Sequence, residues 1–121
     1  MVDIVHTDDG LFGCAGLKGT VNFYPNGGTA LQPGCSLRVT LQDVLEAIKT
    51  IFVEPLPKVF CSHRKSVAFY IKSINEKNLT AYKCPSSKSY AKMQCNDKNG
   101  IPFGEDTPPN ASGNYYIKII K

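Results

Sequence analysis

Over the first 39 residues, short apolar runs are broken by glycines, and Thr20-Val21-Asn22-Phe23-Tyr24 alternates apolar and polar positions before Pro25-Asn26-Gly27-Gly28. Alternation of period two predicts a strand, and the Pro-Asn-Gly-Gly cluster predicts a tight turn after it. An early hairpin stapled through Cys14 or Cys35 is the expected arrangement. From Thr40 the period changes: Leu41, Val44, Leu45, Ile48, Ile51 and Phe52 recur at steps of three and four, with Gln42, Glu46 and Lys49 opposite. This predicts an amphipathic helix over about residues 40–53. Thr40 caps it, Asp43 favours its first turn, and Pro55 and Pro57 end it.

After Pro57 the alternation returns. Ser66 to Ile74 groups Val67, Phe69 and Ile71, and Leu79 to Lys83 turns Leu79 and Ala81 inward. Tyr90 to Cys95 groups Ala91, Met93 and Cys95, and Tyr115 to Ile120 groups Tyr115, Ile117 and Ile119. Asn75-Glu76-Lys77-Asn78 and Asn96-Asp97-Lys98-Asn99-Gly100 read as turns. The sum is an α+β domain over residues 1–121: an N-terminal hairpin, then one helix packed on a four-stranded antiparallel sheet, stapled by disulfides.

Composition narrows the class. A chain of 121 residues suits one domain, and 42% apolar with 10% aromatic residues is too much for a disordered chain. No run approaches the ~20 apolar residues of a membrane helix. The net charge of +4 is unevenly spread. Lys58, Arg64, Lys65, Lys72, Lys77, Lys83, Lys88, Lys92 and Lys98 face only Glu76 and Asp97 in the stretch 58–98, a field that attracts anions such as RNA unless it is simply a solvated face.

Cys14, Cys35, Cys61, Cys84 and Cys95 form no C-x-x-C pair, and His6 and His63 are the only histidines, so no metal site is expected. Wide spacing in a short chain reads as a disulfide framework and an oxidising compartment, with at most two internal bridges and one thiol over. Spacing does not choose the pairs. The sequons Asn78-Leu79-Thr80 and Asn110-Ala111-Ser112 point the same way. Met1-Val2-Asp3 shows no basic or apolar leader, so Met1 is read as an initiator before a mature, secreted chain.

Acid–base candidates are sparse. His6 reads as inert, Glu54 has no evident partner, and Glu105-Asp106 reads as a solvated pair. His63, in Cys61-Ser62-His63-Arg64-Lys65, suits a phosphate-binding loop or a catalytic base; with Cys61 it lacks an orienting third group.

The segments Lys92-Met93-Gln94-Cys95-Asn96-Asp97-Lys98-Asn99-Gly100-Ile101, Asp106-Thr107 and Ala111-Ser112-Gly113-Asn114-Tyr115-Tyr116-Ile117 resemble the closing strands of small secreted fungal guanyl-specific ribonucleases. Leu56-Pro57-Lys58-Val59-Phe60 is similar to that family's segment after its helix. Carried over, the resemblance puts Lys58, Lys83 and Asp106 at acid–base positions, Lys92 at an arginine, Arg64 near a guanine-reading glutamate, and keeps Tyr116 as an aromatic. A protonated lysine cannot accept a proton, nor an ionised aspartate donate one. The resemblance therefore implies no catalysis, no cofactor, and Lys58, His63, Arg64, Lys83, Lys92 and Tyr116 as RNA- or phosphate-binding groups, with Tyr82 and Tyr90 as further stacking faces. It implies a ribonuclease-like effector of the powdery-mildew type: a secreted monomer, translocated into host cells and binding a host plant protein or immune receptor and RNA. The alternatives are an active ribonuclease with a rearranged site at His63 and Glu54, and a cysteine-rich toxin of killer-toxin type.

Overall fold

The computed structural model describes residues 1–11, 13, 19–36, 41–42, 45, 60–95, 98 and 100–120. The expected helix over 40–53 falls mostly outside them, as do Cys14, Glu54 and Lys58. Within the described residues the order is β1 (Asp3–Val5), β2 (Val21–Pro25), α1 (Cys61–Asn75), β3 (Thr80–Lys83), α2 (Ser87–Ala91), β4 (Gly100–Pro102), a 3-10 turn at Gly104–Asp106, and β5 (Gly113–Ile117).

The five strands form one mixed sheet in the order β1-β2-β5-β3-β4. β1 pairs with β2 in parallel, Asp3 opposite Val21, and β2 pairs with β5 in parallel, Phe23 opposite Tyr115 and Tyr24 opposite Tyr116. β3 runs antiparallel to both β5 and β4. No hairpin joins β1 to β2, because a parallel pair needs a crossover rather than a tight turn. The turn expected after Tyr24 is present: Asn26, Gly27 and Gly28 all take positive φ (52°, 89° and 78°), and a Cβ on Gly28 would strike the Tyr24 ring. It redirects the chain at the end of β2 instead of folding it onto a hairpin partner.

The expected strand Ser66–Ile74 is the middle of helix α1. Val67, Ile71 and Ile74, which are exposed, also stand at the i, i+4, i+7 spacing of a helix face, while Phe69, Ser62 and Ser73 form its buried side. The expected strand Tyr90–Cys95 is instead the end of α2 and a turn in which Met93 takes φ 53°. Ser86 caps α2 by accepting the Ser89 N–H.

Parallel strands are covered on both faces. On one face Val21 and Phe23 of β2, Tyr115 and Ile117 of β5, and Ala81 of β3 meet Phe69 of α1 and Phe103 in a single core. Phe23 and Phe103 pack edge to face, 5.0 Å between ring centres at 87°. On the other face lies a ladder of near-parallel rings. His6 stacks on Tyr24 at 4.6 Å, Tyr24 on Tyr116 at 4.9 Å, and Tyr116 on Tyr90 of α2 at 5.1 Å.

Candidate active site

β1, β2 and β5 point the same way, so the loops after Val5, Pro25 and Ile117 gather at one end of the sheet. Ligands of α/β sheets bind outside such carboxyl ends. His63 is brought there by three ties. Cys61, the first residue of α1, is bonded to Cys35 in the segment after β2. The Gln32 N–H donates to Ser62 Oγ at 3.1 Å. The Thr7 hydroxyl, just past β1, donates to the His63 carbonyl at 3.4 Å, and Ser66 Oγ donates to the same oxygen at 2.9 Å. The imidazole stands exposed on the first turn of α1, with the Phe60 ring edge-on at 6.5 Å.

Behind this turn is a buried amide network. Gln32 Nε2 donates to the carbonyls of Pro25 and Thr29 (2.9 and 3.0 Å), and its Oε1 accepts from Asn26 Nδ2 at 3.0 Å. Asn26 Nδ2 also reaches the Ile119 carbonyl at 2.8 Å, and its Oδ1 takes the Ile119 N–H at 3.0 Å. The exits of β2 and β5 are thus tied through two side chains, and the Gln32 backbone N–H ties the same segment to the start of α1. Asp8, after β1, is buried with neither carboxylate oxygen hydrogen-bonded.

His6 is not inert. It is buried, stacked on Tyr24, and bonded through Nε2 to Asn22 Oδ1 at 3.1 Å, so Nε2 carries the proton in that contact. Nor is Glu105-Asp106 merely solvated: Glu105 accepts the Tyr70 hydroxyl at 2.7 Å and Asp106 pairs with Lys77 at 2.9 Å, both fastening the 3-10 turn to α1 or its end.

The other residues of the expected RNA face lie on separate elements. Arg64 is on the first turn of α1, Lys83 ends β3 with Nζ 5.9 Å from the centre of the Tyr115 ring, and Lys92 follows α2. Tyr116 is buried within the ring ladder, and Tyr82 lies opposite it across the β3–β5 pairing. The second bridge, Cys84–Cys95, closes a loop around α2.

A family model described as Lipase matches residues 1–104. The chain belongs to the lipase family. Lipase member H of Oryctolagus cuniculus is 34% identical over 108 residues, covering 88% of this chain and 21% of that protein. Inactive pancreatic lipase-related protein 1 of Homo sapiens is 34% identical and pancreatic triacylglycerol lipase of Cavia porcellus 33%, each over 101 residues, 78% of this chain and 21% of the relative. The chain therefore spans about a fifth of the length of these relatives.

Membership of the lipase family overturns the ribonuclease-like effector, its fungal and plant-pathogen setting, and both alternatives to it. Lys58, Lys83 and Asp106 are not the altered acid–base positions of a nuclease, and no nuclease-derived RNA site remains. The match at Ala111-Ser112-Gly113-Asn114 rested on the few residues that lead into a terminal strand. Gly113 sits there at φ 101°, a turn conformation that many folds require. The disulfides and the family agree on a secreted protein. Translocation into host cells finds no support in either.

What pointed to the site was on hand: the histidine two residues past Cys61, and a strand running into Pro-Asn-Gly-Gly. Thr7, Gln32 and Ser62, which hold the histidine in place, lie far apart in sequence and carry no local sign of their meeting.

Proposed function

We propose that this lipase-family chain carries the acid–base histidine of a carboxylic-ester hydrolase, and that His63 is that residue. The observation behind it is the threefold tethering of an exposed imidazole at the carboxyl end of parallel strands. In α/β-hydrolases the catalytic groups follow the chain order serine, acid, histidine, so the histidine belongs to the later part of the domain. Of the two histidines, His6 is buried and commits Nε2 to Asn22. His63 keeps its ring in solvent.

Imidazole changes charge near neutral pH and can take a proton from a serine hydroxyl, then return it to the leaving alcohol. Residues 1–121 contain no G-x-S-x-G, so on this reading the nucleophile lies elsewhere in the hydrolase. The accompanying fold proposal is that β1, β2 and β5 form part of an α/β-hydrolase sheet.

The test is a chimera in which residues 1–104 replace the matching segment of the Cavia porcellus lipase, assayed on carboxylic esters. Changing His63→Ala should cost at least about a thousandfold in kcat, as loss of a triad member does. His6→Phe, which keeps a stacking ring, should leave most activity. A chimera as active without His63 as with it defeats the assignment.

A further inference from the structure

The sequon Asn78-Leu79-Thr80 lies between the C-terminus of α1 and β3, with Asn78 and Thr80 exposed. Asn22, Asn26 and Asn75 commit their side-chain amides to protein partners. Among the described residues, neither the Asn78 amide nor the Thr80 hydroxyl has such a partner. Both groups that define the acceptor motif are therefore open to solvent.

Asn78 also sits on the wall of a cavity of about 520 Å³, shared with Leu79, Tyr82, Tyr90, Met93 and Tyr116. That volume is in the range of ligand sites, roughly 300–1,000 Å³. Tyrosine rings and apolar side chains make up most of its lining, with Thr80 and Lys118 beside them. Met93 is 90% exposed, and the Cys84–Cys95 bridge holds the segment that carries it. A cavity with tyrosine faces and a polar margin suits a cover that is polar at its edge and apolar toward the rings. A sugar ring has that character: C–H bonds on its faces, hydroxyls around its edge.

We propose that Asn78 is N-glycosylated and that the inner sugars of this glycan lie over the tyrosine-lined cavity beside it. The proposal rests on the extracellular reading and not on His63. In the transfer, Asn78 Nδ2 forms a bond to the anomeric carbon of an oligosaccharide carried on a lipid pyrophosphate. The carbon–oxygen bond to the pyrophosphate breaks, and the proton lost by the amide neutralises the departing phosphate; nothing is oxidised or reduced. The second sequon, Asn110-Ala111-Ser112, also has an exposed asparagine but is not part of this cavity wall, so it supplies an internal control.

Residues 1–121 are secreted from cultured animal cells behind a cleavable leader peptide and mapped by peptide mass spectrometry before and after treatment with peptide N-glycosidase. The peptide containing Asn78 should carry a glycan that is lost in both Asn78→Gln and Thr80→Ala, the latter leaving the asparagine in place. Removing the glycan from the folded wild-type protein should raise the fluorescence of an apolar dye several-fold, whereas Asn110→Gln should not change it. Enzymatic removal keeps the test intact if Asn78→Gln is not secreted. An unmodified Asn78 in the secreted, disulfide-bonded protein overturns the proposal. A glycan whose removal leaves dye binding unchanged overturns its placement over the cavity.

Discussion

The backbone N–H of Gln32 donates to Ser62 Oγ at 3.1 Å, one residue before His63 and across 30 positions of chain. The Gln32 side chain, 1% exposed, holds the carbonyls of Pro25 and Thr29 and the amide of Asn26. A leucine there would fill similar space and satisfy none of them. Stranding buried polar groups costs about 1–3 kcal/mol each at most, and part of that is recovered by relaxation. Gln32→Leu should lower stability by about 2 kcal/mol and Tm by roughly 8 °C, followed by circular dichroism. A shift of under about 2 °C would show that the Gln32 amide does not hold the turn after β2.

The Cys35–Cys61 bridge spans 26 residues and ends two residues before His63, while Cys84–Cys95 spans 11. Chain-entropy reasoning gives the longer loop about 3.5 kcal/mol and the shorter about 3. The stability effects should therefore be similar but the functional ones unequal. Replacing Cys35 and Cys61 by serine should cut ester hydrolysis in the lipase chimera at least tenfold at a temperature where the protein remains folded. Replacing Cys84 and Cys95 should leave the rate within about threefold. Equal losses in the two variants would detach the bridge from the histidine.

Gly104 takes φ +81°, and a Cβ on it would land on Ser73 Oγ. That serine, buried on α1, donates to the Tyr70 carbonyl at 2.6 Å and accepts the Glu105 N–H at 3.2 Å. Gly104→Ala therefore combines an unfavourable backbone with a collision and should cost about 2–4 kcal/mol in urea unfolding. Adding Ser73→Gly should recover part of the loss, because only the collision is relieved. Additive effects of the two changes would mean that the side chains do not meet.

Two features of the chain explain what could be read from its sequence. At Val21–Pro25 the strand signal, the Pro-Asn-Gly-Gly turn and the formed element coincide, because positive φ at Asn26, Gly27 and Gly28 is a local demand. Along Ser66–Ile74 two periods compete. Val67, Phe69 and Ile71 fit a strand, while Val67, Ile71 and Ile74 fit a helix face, and tertiary contacts through Phe69 and Ser73 decide for the helix. Parallel pairing of β1, β2 and β5 joins residues distant in sequence, so no local pattern announces it. His63 could be picked out by its chemistry. Its tethers to Thr7, Gln32 and Cys35 depend on that pairing and were beyond reach.

The ring ladder gives the protein a signature at high pH. Burial, then the nearby Tyr116 and Asp9, push the Tyr24 hydroxyl above the usual 10.0, and burial does the same at Tyr90. The neutral phenol is therefore the form that the fold prefers. Above pH 10 an unfolded chain releases these protons while the native chain keeps them, so the native state binds more protons and stability falls as pH rises. The contribution is complete below pH 10 and is lost as pH climbs through the raised native values. Tyrosinate absorbance should rise in two phases, the late one coinciding with weakened resistance to urea. Tyr24→Phe and Tyr90→Phe keep the stacked rings and remove the titrating hydroxyls. Each should shrink the late phase and flatten the alkaline loss of stability. If all six tyrosines titrate together at the ordinary value, with stability unchanged between pH 9 and 11, the ladder does not shield its hydroxyls.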